Sequence, residues 1–213
     1  RNEPLRGAVL CMLEAQSRDG AIPWFVDGPW DPWNHGECVM ALGVAGELEA
    51  MEAGLACLQA RQGPDGAWLG EYGNVLPMAD HTHLARTAAP AFRDTNFAAY
   101  CAVVVWHAFN LTQDEALVRR YWPMVRAALD FVVGLQHEPG DISWSKEAHR
   151  TQADDAVRAG CASIHKSLDC GLRLAEVVGE ERLGWKAAQL RLRYALQAKP
   201  SRFDRTCDRS AFA

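Results

Sequence analysis

Runs of lysine and arginine are missing from this chain, and its formal charge is −5. Nucleic-acid binding draws most of its affinity from cationic contacts to phosphate, so no nucleic-acid partner is expected. No apolar run approaches the roughly 20 residues that span a bilayer. The N-terminus also lacks the basic-then-apolar order of a signal peptide. The expectation is a cytoplasmic chain with no membrane span. CxxC pairs are absent too, and the seven cysteines are odd in number. Cys11, Cys57 and Cys101 fall among apolar residues in helical patterns, where a reduced thiol serves as a small buried hydrophobe. No metal and no cofactor is expected, because Asp80, His81 and His83 offer ligands without a fourth to complete a tetrahedral set. Asn110-Leu111-Thr112 matches a glycosylation acceptor but has no secretory context around it.

What the chain does have is an internal repeat. Gln16-Ser-Arg-Asp19-Gly20 is followed by Trp24, and Gln62-Gly-Pro-Asp65-Gly66 by Trp68, each directly after a helix-like segment. A looser copy, Gln136-His-Glu-Pro-Gly140-Asp141, precedes Trp144. A helix ending at Gln, a turn through a glycine that tolerates left-handed backbone, and a Trp folding back over the helix end would explain the pattern.

The segments between the copies alternate in character. Leu5, Ala8, Val9, Met12 and Leu13 make a one-sided stripe at helical spacing, and Leu48, Met51, Leu55 and Leu58 make another. These are expected to be outer helices. Phe97 to Phe109 and Cys38 to Ala45 are apolar nearly all round, as inner helices buried on every side would be. A third inner helix is expected from near Gly160, carrying Ile164, Leu168, Leu172, Leu174 and Val177, with an outer partner over 182–198. Pro123 would break a helix interior, so 114–137 reads as a short helix followed by a long one that starts at Pro123. The valines at 103–105 could form a strand, but nothing nearby offers to pair with them.

Inner and outer helices alternating around an axis make an all-α fold, an α/α toroid or partial six-hairpin barrel. With 213 residues, of which 49% are hydrophobic, the whole of 1–213 reads as a single domain. Seven or so helices cannot close a ring of six hairpins, so this domain is expected to be incomplete at one or both ends.

Each loop leading into an inner helix ends in a polar, aromatic cluster. The first is Trp30-Asp31-Pro-Trp33-Asn34-His35-Gly-Glu37; the second is Asp94-Thr95-Asn96, with Tyr100 one turn on; the third holds Ser163, His165 and Lys166. Parallel inner helices would gather all three at one mouth, with their dipoles pointing there. Asp31, Asn34 and Asp94 are also good helix caps, and Trp30 and Trp33 could be core. Glu37 on a buried helix would need a functional reason.

The Gln-x-x-Asp-Gly-x-Trp turns resemble the repeats of terpenoid cyclase and protein prenyltransferase toroids, and the chain is similar to bacterial proteins labelled prenyltransferase-like. That likeness implies an isoprenoid substrate, although Asp-x-Asp-Asp does not occur here, nor does an Asp-x-Cys plus His zinc set. Residues 94–179 also resemble glucoamylase-like six-hairpin glycosidases, through Arg119-Arg-Tyr-Trp122-Pro, Gly140-Asp-Ile-Ser-Trp144 and the helix around Cys161 to Leu168. There the acid glutamate directly follows the tryptophan; Ser145 stands at that position here, and Glu147 lies two residues on.

Three functions stay open. The first is a carbohydrate-active hydrolase with Glu37, Asp31, Asp94 and Glu147 as carboxylates and a small-molecule or glycan substrate held by Trp30, Trp33, His35, Asn96, Tyr100, Trp144, His165 and Lys166. The second is an isoprenoid enzyme whose aromatics stabilise carbocations. The third is a toroid that binds a glycan or a partner without turnover.

Overall fold

The computed structural model describes residues 3–73, 93–146, 156–199 and 203. Its helices are α1 (Glu3–Ala15), α2 (Pro32–Ala45), α3 (Leu48–Arg61), α4 (Thr95–Thr112), α5 (Glu115–Val133), α6 (Arg158–Val178) and α7 (Leu183–Ala198). Four two-residue strands make two antiparallel ribbons, β1 (Pro29–Trp30) with β2 (Tyr72–Gly73) and β3 (Arg93–Asp94) with β4 (Ser145–Lys146). The valine run at 103–105 is helical, inside α4.

Helices α2, α4 and α6 pack side by side, and each is backed by its successor, α3, α5 or α7. The inner-to-outer connections are tight. Gly46 and Gly179 take left-handed backbone and close the ends of α2 and α6. The returns from outer to inner helices are longer, and their described ends pair as the two ribbons beside the starts of α2 and α4. This is the expected α/α toroid.

The repeat governs how the returns are fastened. In turn 1, Gln16 Nε2 donates to Gly20 O and to Ala50 O on α3. In turn 2, Gln62 Nε2 donates to Gly66 O and to Met124 O on α5. In turn 3, Gln136 Nε2 donates to Gly140 O and to Ala188 O on α7. One carboxamide thus ties each turn to the next outer helix. The glycines have φ of 86°, 89° and 105°, and a Cβ on them would meet the carbonyl oxygens of Ala53, Ala127 and Arg191 at 2.1, 2.3 and 2.4 Å. Both the backbone conformation and the space demand glycine.

The covering residue is two places after the glycine: Ile22, Trp68 and Ile142, all 2% exposed or less. Only Trp68 of the three expected tryptophans folds over its helix end, with Nε1 donating to Leu58 O. Trp24 is 39% exposed and Trp144 half-buried, because both sit two positions too late in the repeat.

Pro123 lies inside α5, which runs unbroken, so the expected split into two helices does not occur. The carbonyl of Arg120, in the turn that the proline ring disturbs, accepts from Gln59 Nε2 on α3. Gln59 thus braces that turn from α3, while Tyr121, Trp122 and Met124 anchor it in the core. The inner helices are not buried all round either. On α4, Phe97, Tyr100, Val103 and Trp106 form a half-exposed stripe, and α2 leaves Val44 68% exposed. The inner helices present this stripe to the concave side, which explains why so apolar a helix keeps one face open. Cys57 and Cys101 are buried as expected; Cys11 is exposed, on the outer face of the lightly packed α1.

Candidate active site at the starts of the inner helices

Asp31 is the N-cap of α2. Its Oδ1 accepts from the amides of Trp33 and Asn34 at 2.9 Å, while Oδ2 accepts from Trp24 Nε1 and Asn34 Nδ2 at 2.6 Å. With four donors it needs no substrate to satisfy it, and it is 2% exposed. Asp94 caps α4 differently. Its Oδ1 accepts from the amides of Asn96 (2.8 Å) and Phe97 (3.0 Å), and Oδ2 has no partner among the described residues. Burial pushes its pKa up to about 7; the two cap bonds oppose that rise, and the nearby Asp31 charge adds to it. Two of the expected carboxylates therefore share the mouth, one with both oxygens bonded and one with a single oxygen bonded. Glu147 lies outside the described residues, as do Asp80, His81 and His83.

Glu37 is exposed, which corrects the expectation of a buried carboxylate. It sits on the open stripe of α2, where its Oε1 accepts from Tyr100 Oη. Burial first, and then the Glu37 hydrogen bond and charge, raise the Tyr100 phenol well above its usual value. Trp33 completes this wall, lying parallel to Phe97 (centroids 6.4 Å apart, 11°) and edge-on to Tyr100 (6.1 Å, 75°). Half-exposed aromatic rings beside carboxylates are what a sugar face needs for stacking and hydroxyl recognition. Asn96 lies between the starts of α4 and α6, with its Cβ 4.0 Å from where a Cβ on Gly160 would be. Its buried Oδ1 has no partner among the described residues.

The other expected ligand-binding residues are placed elsewhere. Trp30 is 4% exposed and stacked on Tyr72 at 4.6 Å, as a piece of the β1–β2 ribbon core. His35 is fully buried: Nδ1 accepts from Ile22 N at 3.1 Å, so Nε2 carries the proton and donates to Gly54 O at 3.0 Å. Burial lowers its pKa and keeps it neutral. Because α6 begins at Arg158, His165 and Lys166 sit about two turns beyond the mouth. The carbonyl of His165 accepts from Gln189 on α7, and its pKa is lowered by burial and by Arg193. Lys166 pairs with Asp169 at 2.9 Å. Trp144 is half-buried, with a carbonyl that accepts from Thr95 N at 2.9 Å.

Sequence reasoning missed Phe97, which reads as one more apolar residue of a buried helix. It missed Trp24 as a donor to Asp31 and the buried Glu71 before β2. No pattern distinguishes these from core residues without the loop path. No three His, Cys, Asp or Glu residues gather as a metal set among the described residues, and none of the described helices is long and apolar enough to cross a membrane.

Comparison with known proteins falls on carbohydrate enzymes. The chain is 36% identical over 201 residues to the MMP endo-(1,4)-3-O-methyl-α-D-mannosidase of Mycolicibacterium hassiacum. The match takes in 94% of the chain and 53% of that enzyme, so the chain spans about half the length of the curated relative it matches. Among solved structures it resembles a possible GH105 member from Salmonella enterica, with a TM-score of 0.64 and 14% identity, over 90% of this chain and 52% of that one. It also resembles the endo-β-1,4-glucanase CMCax of Acetobacter xylinum, with a TM-score of 0.60 and 10% identity, over 93% and 59%. No family model matches. The chain thus has the α/α-toroid scaffold found in glycoside hydrolases.

Proposed function

We propose that the protein carrying this chain is a glycoside hydrolase that cleaves an α-mannan internally, and that Asp94 holds the proton given to the leaving oxygen. The observation that carries this reading is the Asp94 carboxyl, capped through Oδ1, open at Oδ2, and with a pKa of about 7 at the mouth. A carboxyl that keeps its proton near neutral pH is matched to general-acid work. Hydrolysis also needs a second carboxylate to activate water or attack the sugar. Glu37 faces the concave side and is held by Tyr100. It is free to do this in a way that the four-bonded Asp31 is not. Trp33, Phe97 and Tyr100 then support the sugar. The likeness to an endo-acting 3-O-methyl-mannosidase supports partly methylated, (1,4)-linked mannose as the substrate.

The test is release of reducing ends from such a polysaccharide by the full-length protein. Asp94→Asn, which keeps the cap but cannot donate a proton, is expected to lose about 10²- to 10⁴-fold in kcat. Wild-type-like turnover by that variant removes Asp94 as the acid. No release by the wild type removes the substrate.

A further inference from the structure

Turn 3 contains a hydrogen-bonded relay that the other two turns lack. Asp141, fully buried, accepts from His137 at 2.8 Å (Oδ2 to Nδ1), and His137 Nε2 lies 2.9 Å from Ser143 Oγ. Facing the carboxylate oxygen, Nδ1 donates, and Nε2 and the Ser143 hydroxyl share the second hydrogen bond. The order Asp–His–Ser is that of a nucleophile set, but Ser143 is 6% exposed and its carbonyl is bonded to Thr95 at the start of α4. The relay therefore acts on its surroundings.

Comparison among the three turns shows that it is not needed to form the turn. At the three relay positions, turn 1 has Ser17, Ala21 and Pro23, and turn 2 has Gly63, Ala67 and Leu69. Yet all three turns share the Gln clamp, the left-handed glycine and the same pair of backbone bonds, for example Gly63 N to Ala67 O at 2.7 Å and His137 N to Asp141 O at 2.8 Å. What turn 3 does beyond the shared pattern is hold the residue after Asp94. Thr95, fully buried, donates from Oγ1 to Ser143 O at 2.6 Å and from its amide to Trp144 O at 2.9 Å. Asp94 itself pairs with Ser145 in the β3–β4 ribbon.

We propose that Asp141, His137 and Ser143 are positioning residues that lock the Ser143–Trp144 carbonyls against Thr95 and so fix the Asp94 carboxyl in its recess. The relay pins the Ser143 side chain, the side chain fixes the direction of its carbonyl, and Thr95 transmits that direction to the cap one residue earlier. For the effect on turnover this inference rests on Asp94 as the acid; for the geometry it does not. Among the described residues, the charged group acting on Asp94 is Asp31 at the start of α2, whereas the amides of Asn96 and Phe97 face it from α4. None of these is altered by changes in turn 3.

Two variants of the full-length protein test it. Asp141→Asn keeps the shape but unsettles the His137 tautomer. The triple change H137G/D141A/S143L gives turn 3 the residues that turn 2 already uses. In folded variants, carbon-detected carboxyl NMR is expected to show the Asp94 titration midpoint moving down toward the ordinary carboxylate range as water reaches the loosened recess. On the mannan, kcat is expected to fall about 10- to 100-fold with KM within about twofold, the mark of a misplaced reacting group. An unchanged midpoint in both folded variants overturns the proposal. So does failure of both to fold, which would make the relay a stability element only. If the wild type proves inactive on mannan, the glycosidase reading fails while the NMR midpoint still decides this one.

Discussion

Asp94 shows how one position can hold two roles that a sequence cannot separate. Asp is a good cap at the start of any helix, and both Asp31 and Asp94 do cap. They differ in what fills the second oxygen, and that depends on Trp24, which the loop brings only to Asp31, and on Asn34 in the first turn of α2. The difference has a consequence for stability. The folded-state pKa of Asp94, about 7, lies above the ordinary 3.8, so between those values the folded protein holds a proton that the unfolded chain has released. Stability contributed by the neutral carboxyl is therefore present at low pH and lost as pH rises through about 7. Asn caps a helix as well as Asp and does not titrate. Asp94→Asn should thus unfold at higher urea than the wild type at pH 8, with the gap closing toward pH 4. A gap that stays constant with pH would show that the proton sits elsewhere.

At the scale of elements, the alternation of outer and inner helices was legible because burial imposes helical periodicity, and α3, α4, α6 and α7 fall where the apolar spacing put them. The Gln and Gly positions of the repeat were legible as well. What was not legible was sidedness. Composition said that Trp30 and His35 were interesting and that Glu37 was buried. Only the path of β1 against β2 turns Trp30 inward onto Tyr72, and only the neighbouring α3 supplies the Gly54 carbonyl that retains His35. Pro123 was misread for a similar reason, because what holds its turn in place, the buried Tyr121, Trp122 and Met124 and the Gln59 bond to Arg120 O, depends on packing against other helices. The repeat itself makes a sharp prediction. Gly66→Ala must fit a Cβ 2.3 Å from Ala127 O at a φ of 89°, and the strain should cost on the order of 2–4 kcal/mol of unfolding free energy. Gln62→Ala removes two bonds to carbonyls and should cost about 1–3 kcal/mol. Chemical denaturation of each variant, read against the wild type, checks both.

For the whole molecule, the rank of each helix follows from how many others enclose it. Helix α4 is flanked by α2 and α6 and backed by α5, whereas α1 touches α2 alone to any extent and exposes Leu5 and Leu10. Amide hydrogen exchange should therefore be slowest in α4 and fastest in α1; equal protection of the two would contradict this packing order. The Gln clamps also carry a rule about sequence length. The carbonyl that α3 offers to turn 1 belongs to Ala50, and the clamp that α3 sends onward is Gln62; on α5 the corresponding residues are Met124 and Gln136. The spacing is the same in both, so each outer helix behaves as a fixed-length spacer between two fasteners. Deleting one residue from α3 would rotate turn 2 by about 100° and draw it back by about 1.5 Å relative to α5. The loops at the mouth can change length through evolution, but the outer helices between clamps can change only their residues.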